Sequence, residues 1–197
     1  CIRDRNWKFS RGDSGKEVHE DAGGGNAHAG AMVYLGGTWP DRYRDSVFMC
    51  NLHGNRINQD QLERKGSGYV GHHKKDFLMA NDAWFRGIAL KYGPDGGVFV
   101  SDWTDLGECH DRDGVHRRSG RIYKITFGRS EYVETDLSRL SNGQLVQLQL
   151  HRNDWFVRHA RRIHQERAAE GRDMMMARQA LLGMFDEREE VTRKLRV

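Results

Sequence analysis

From residue 31 onward, short alternating runs of apolar and polar residues recur, separated by turn residues at intervals of roughly 8–12 positions. The first group is AMVYL (31–35), SVFMCNL (46–52), NRINQDQLER (55–64) and the more irregular SGYVGHHKKDFLMAN (67–81). Alternation puts one face of each strand toward a core, and four such strands in succession describe an antiparallel meander. A second group follows in WFRGIALKYGPDGGVFVSDW, with RIYKITF (121–127) as its third strand. Pro94 presets φ for the second position of a tight turn, and Gly96 or Gly97 can supply the positive φ that follows, so Trp84–Trp103 reads as a hairpin. Four-stranded meanders repeated radially are the logic of a β-propeller. One complete sheet plus three strands of a second cannot close a ring. Apolar faces would stay open without more chain, so the sequence is expected to be a piece of something longer.

After residue 140 the period becomes helical. NGQLVQLQL (142–150) is short, and Asn153 or Asp154 can cap WFVRHARRIHQER (155–167), where Phe156, Ala160 and Ile163 share a face. Gly171 ends that helix, and Asp173 is positioned to cap MMMARQALLGMF (174–185), with Met174, Ala177, Leu181 and Met184 aligned. Composition shifts at the same place. Residues 1–138 hold 20 basic and 20 acidic residues and 139–197 hold 12 and 8, while 20 of the 23 glycines precede Ser141. The expected organisation is an irregular Gly-rich lead-in over 1–25, sheets over 26–128, a linker over 129–140 and helical hairpins over 141–197. The fold class is therefore mainly β with a helical C-terminal part.

No apolar run approaches the roughly 18–20 residues of a membrane helix. Cys1, Cys50 and Cys109 are too few for a disulfide framework. Cys50 and Cys109 are candidates for a bridge, and the odd count leaves at least one thiol unpaired within the chain. The basic tail RHARRIHQERAAEGR interleaves its cations with Glu166, Glu170 and Asp173 and has no aromatic row, so a solvated helix face is expected and nucleic acid is not. Ten histidines are many for this length, yet none shows zinc spacing, and the acidic residues of 102–113 lack the spacing of a calcium loop. Arg86, at the start of a strand beside Phe85, Ile88 and Leu90, is placed to point into a channel. There a guanidinium could grip a carboxylate in bidentate fashion, and a surface pair with Asp82 is the alternative.

The runs HAGAMVYLGGTWPDRYRDSVFMCNLHGNRIN, FLMANDAWFRGIALKYGPDGGVFVSDW and GRIYKI resemble the C-terminal blades of glucose/sorbosone dehydrogenase-like six-bladed propellers. More narrowly, they resemble the large membrane-bound dehydrogenases of planctomycetes and verrucomicrobia, where HEAT-like repeats and often a cytochrome c domain follow the propeller. NDWFVRHARRI resembles the opening of such a repeat, through Val157, Arg158, His159 and Ala160. The resemblance covers about 25–128 for the blades and 140–185 for the helices, and it implies a partial six-bladed propeller followed by helical repeats.

It also implies an exported, periplasmic or membrane-associated quinoprotein-like sugar or alcohol dehydrogenase. In such an enzyme hydride passes to pyrroloquinoline quinone and electrons pass to a cytochrome c, in the same chain or a separate one, with Ca²⁺ elsewhere in the full-length protein. By position Arg86 matches a ligand-facing arginine of the pattern, and His53 stands where the quinoproteins have a lysine. Trp84 replaces a second inner arginine, and His28 lies near the inner start of the preceding blade. Arg86, His53, His28 and Trp84 are thus the expected cofactor contacts, with Asp102 and His110 at the channel mouth. The general base and calcium ligands of the quinoproteins lie in earlier blades. The competing expectations are a non-catalytic carbohydrate- or protein-binding platform, for which Trp84 offers a stacking face, and a purely structural interaction module working through its helices.

Overall fold

The computed structural model describes residues 27–104, 118–187 and 189–197. The chain is mostly sheet with some helices and divides into two compact units. One consists of the described parts of Cys1–Tyr34, Asp41–Lys91 and Val98–Ile125. The other consists of Leu35–Pro40, Tyr92–Gly97 and Thr126–Val197.

The first unit holds two antiparallel sheets, neither closed. The first runs β1 (His28–Val33), β2 (Ser46–Asn51), β3 (Arg56–Lys65), β4 (Gly68–His73) in simple meander order, and β5 (Leu78–Met79) also pairs with β3. The irregular fourth run of the sequence is thus two strands on one edge of β3. β4 covers Asp60–Lys65, β5 covers Arg56–Ile57, and the link between them, residues 74–77, carries Asp76. The second sheet is β6 (Gly87–Tyr92), β7 (Val98–Asp102), β8 (Arg121–Ile125) in that order.

The pleat sorts the residues. Met32, Phe48, Cys50 and Ile57 lie on one face of the first sheet and are nearly inaccessible. Phe77 closes over Phe48 edge-on with ring centroids 5.1 Å apart. Cys50 faces the second sheet, and a Cβ on Gly87 would come 2.8 Å from its sulfur. It is a free thiol, and burial, helped by the Asp102 charge, pushes its pKa up to about 12. The consequence has a definite sign. Above about pH 9 the unfolded thiol ionises while the folded one stays protonated, so stability falls as pH rises from there towards 12. With Cys1 and Cys109 replaced by Ser, native protein at pH 8 should leave Cys50 unlabelled by a disulfide reagent until urea is added. Rapid native labelling would mean that the two sheets do not pack over it.

The second unit has its own core of Leu137, Leu145, Phe156, Ala160 and Ile163, flanked by Val133, Leu140, Leu148 and Trp155. Its helices are α1 (Asn142–Gln147), α2 (Asp154–Ala169), α3 (Met175–Asp186) and the short α4 (Val191–Lys194). Ser141 and Gln144 form a capping box on α1. Asn153 caps α2 through its oxygen, while its amide nitrogen donates to the carbonyls of Gly93 and Pro94 at 3.0 and 2.9 Å. The GPDG turn is thereby tied to the start of a helix within the same unit. That turn has the expected form. The Gly96 amide donates to the Gly93 carbonyl, Gly96 takes φ +75°, and the Gly93 amide returns to Gly97.

α3 begins at Met175, one residue later than the sequence run. Asp173 accepts the Met175 amide from just outside the helix. The basic face of α2 is only partly solvated. Arg158 and Arg162 are exposed and pair with Asp154 and Glu166, but Arg167 is buried. Its guanidinium donates to the Ser138 and Leu140 carbonyls and the Asn142 side chain at 2.6–2.8 Å.

Candidate functional site

In an antiparallel meander alternate strand ends share a rim. His28 opens β1, Asn51 closes β2, Arg56 opens β3 and Met79 closes β5, so these four lie along one edge of the first sheet. In the second sheet the corresponding ends are Gly87, Asp102 and Arg121. The two rims meet. Asn55, in the β2–β3 turn and at φ +49°, donates its amide nitrogen to the Ala83 and Phe85 carbonyls, and its own carbonyl accepts the Ala80 amide. Asn is among the few side-chain-bearing residues that tolerate that backbone region.

Arg86 lies on this shared rim just ahead of β6. Its Nη1 donates to the same two carbonyls, Ala83 at 2.9 Å and Phe85 at 3.0 Å. The turn that carries His53 and the guanidinium of Arg86 are therefore held against one stretch of backbone. Trp84 is half-buried in that stretch, with its amide bonded to Asp82 at 2.9 Å. Asp82 pairs with Arg121 at 2.8 Å. The Trp84 amide, then the Arg121 hydrogen bond and the Arg121 and Arg86 charges, hold its carboxyl below the usual range against an opposing desolvation.

Asp102 is not an open mouth residue. Its side chain has no solvent exposure and accepts from the Arg86 amide at 2.7 Å, the Thr104 amide at 2.9 Å and Arg121 Nε at 2.8 Å. Its place is beneath Arg86, fixing the backbone from which that side chain springs. His110 falls outside the described residues.

His28 belongs to a second network on the face of the first sheet turned away from Cys50. Register sets Asn51 opposite both His28 and Arg56, and the pleat puts Asn58 and Asp60 on the same face. His28 Nε2 lies 3.1 Å from Asn58 Oδ1, which also accepts from Asn51, while Asn58 Nδ2 donates to Asp76 at 2.6 Å. Asp76 in turn pairs with Arg56 at 2.7 Å. Asn51 and Asn58 are essentially inaccessible, so protein partners rather than water orient their amides. The carboxylate of Asp76 can only accept. Asn58 must therefore turn its nitrogen there and its oxygen to His28, which makes His28 Nε2 the donor.

The sequence singled out His28 and Arg86 and missed Asn51, Arg56, Asn58, Asp76 and Arg121. The available signal was the density of amide and basic residues in NLHGNRIN at positions where alternation calls for an interior. Among the described residues no group of three His, Cys, Asp or Glu gathers as a cation site, and no helix is long and apolar enough to cross a membrane. Residues 5–129 match the family described as a domain of unknown function, DUF7133. No curated protein and no solved structure matches the chain.

Proposed function

We propose that this chain, which belongs to the DUF7133 family by a match over more than half its length, forms part of a glucose/sorbosone dehydrogenase-like six-bladed β-propeller. The proposed activity is oxidation of a sugar or alcohol in an exported, periplasmic protein, with hydride passing to a quinone cofactor and electrons to a cytochrome. The two sheets would be neighbouring blades, and the helical unit a HEAT-like pair. For the helices, Val157 and Ala160 of the repeat-like run are fully buried while Arg158 is exposed, as a repeat's inner and outer faces require. The observation that carries the reading is the meeting of the first strands of successive sheets. A Cβ on Gly30 of β1 would sit 2.6 Å from the Ala89 Cα of β6, which is the backbone-to-backbone approach that wedges make near a common axis. Arg86 then stands at the inner end of its wedge.

Pyrroloquinoline quinone carries carboxylates and calls for cations fixed in orientation. The described rim fits at Arg86, whose half-exposed guanidinium is anchored on two carbonyls. When bound, the quinone supplies the hydride acceptor. The chain's own part is to hold and orient. Arg86 would grip an anionic group, Asp102 and Asn55 keep the Arg86 backbone in place, and the Trp84 indole offers a wall. His53 would project from the turn beside Arg86, and His28 would stand on the same rim with its Nε2 committed to Asn58. The reading draws no general base and no Ca²⁺ ligand from the described residues.

Titrating the quinone with Ca²⁺ into the protein and following tryptophan fluorescence tests this. Saturable quenching is expected, with Arg86→Ala weakening affinity by about 10–100-fold, the loss of one hydrogen bond to a charged group. The amide that Asp102 holds is unchanged in that variant, so its circular dichroism should be native. No quenching, or the same curve for both proteins, overturns the proposal. Glycan affinity that disappears in Trp84→Ala would then favour the carbohydrate-binding platform.

A further inference from the structure

β2 ends its pairing with β3 at Ser46 opposite Gln61, but β3 and β4 continue together to Lys65 and Gly68. Among the described residues, 62–71 are therefore a two-stranded ribbon with no third strand, and every one of them is exposed. A ribbon of this kind is marginally stable alone in water. Its composition mixes apolar and basic side chains. Leu62, Tyr69 and Val70 are open to solvent, Tyr69 at 66%. The two carboxylates at its base are occupied, Glu63 by His72 at 2.7 Å and Asp60 by His73 at 3.0 Å. Arg64 and Lys65 on the arm, and Lys74 and Lys75 just past the end of β4, form no ion pair among the described residues.

β4 is also the last strand on the main path of its sheet, and it contains Gly68 and Gly71. A Cβ on Gly68 would meet one atom, 3.9 Å away, and a Cβ on Gly71 would meet nothing within 4 Å. Glycine inside a strand weakens it unless another backbone comes close. We propose that the 62–71 arm is a docking edge for an acidic, extended segment of a partner protein. The segment pairs along β4 as an added strand and sets its carboxylates against Arg64, Lys65, Lys74 and Lys75. Main-chain bonds supply the affinity, and the cations select a partner and a register. The unpaired main-chain groups of the β4 edge match a polypeptide strand and not a nucleic acid. The arm lies at the far end of β3 from the Asn51–Arg56 turn, so partner and rim ligand do not compete.

An eight-residue peptide alternating Glu and Thr, with a Lys-for-Glu peptide, a DNA oligomer and anionic phosphatidylserine vesicles as controls, tests this on the whole chain. Fluorescence anisotropy should show saturable binding of the Glu peptide alone, weakened at least tenfold between 50 and 500 mM salt. Hydrogen exchange should slow at amides of 68–73. Arg64→Glu with Lys65→Glu should abolish binding with unchanged circular dichroism, whereas Arg86→Ala should leave it intact. Absent binding, protection elsewhere, or equal or stronger binding of the DNA, vesicles or Lys peptide overturns the proposal.

Discussion

Asp102→Ala should destabilise the sheet unit by about 2–4 kcal/mol, chiefly the cost of leaving two backbone amides without their acceptor. The carboxylate has no exposure, so water does not replace it. Its removal orphans the amides of Arg86 and Thr104 and leaves Arg121 with Asp82 as its remaining acidic partner. Asp102→Asn retains a short acceptor and should cost less. Arg121 is about one-third exposed and can relax toward solvent, so Arg121→Leu should cost less still. Hydrogen exchange during urea unfolding is the appropriate measurement, because it reads Val98–Ile125 separately from Asp154–Ala169. The first should open at lower urea and the second should not move. An unchanged exchange pattern across 86–104 would mean that the carboxylate does not organise the rim, and the support claimed for Arg86 would go with it.

That Asp102 would be buried could not be read from its neighbours. In the sequence it begins an acidic run and ends a strand, and both suggest solvent. What decides its environment is Arg121, its cross-strand partner 19 residues later, along with an amide 16 residues earlier. The same holds for Asn58, joined to His28 across 30 residues and to Asp76 across 18. Elements set by local chemistry were legible. The meander order, the GPDG turn, the Asn153 cap and the α2 stripe all follow from period, φ preference and side chains that bond their own backbone. Arg167 shows the limit. Its place in a charged run points to water, yet the carbonyls of the 137–140 turn, far away in sequence, needed a donor and took it.

Legibility of Gly30 was lower still, and its substitution is the sharper test of how the two sheets meet. HAGAM reads as an ordinary strand opening, but register slips between Ala29 and Met32, and Gly30 takes φ +64° there. Gly30→Ala should destabilise the sheet unit by about 2–4 kcal/mol, near 1 for the backbone conformation and the remainder for overpacking. The overpacking cannot be relieved by a rotamer change, since the atoms it meets are the Cα of Ala89 and the carbonyl of Ile88 at 2.6 and 2.7 Å. For the same reason Ala89→Gly should not rescue it, because the colliding atom remains. Gly66 supplies the control: it shares the positive φ, at +61°, but has nothing within 4 Å, so Gly66→Ala should cost only the conformational part. Stabilities derived from urea unfolding of the two variants should therefore differ by about 1–3 kcal/mol. Equal stabilities would mean that β1 and β6 do not approach backbone to backbone, and the radial reading of the sheets would lose its footing.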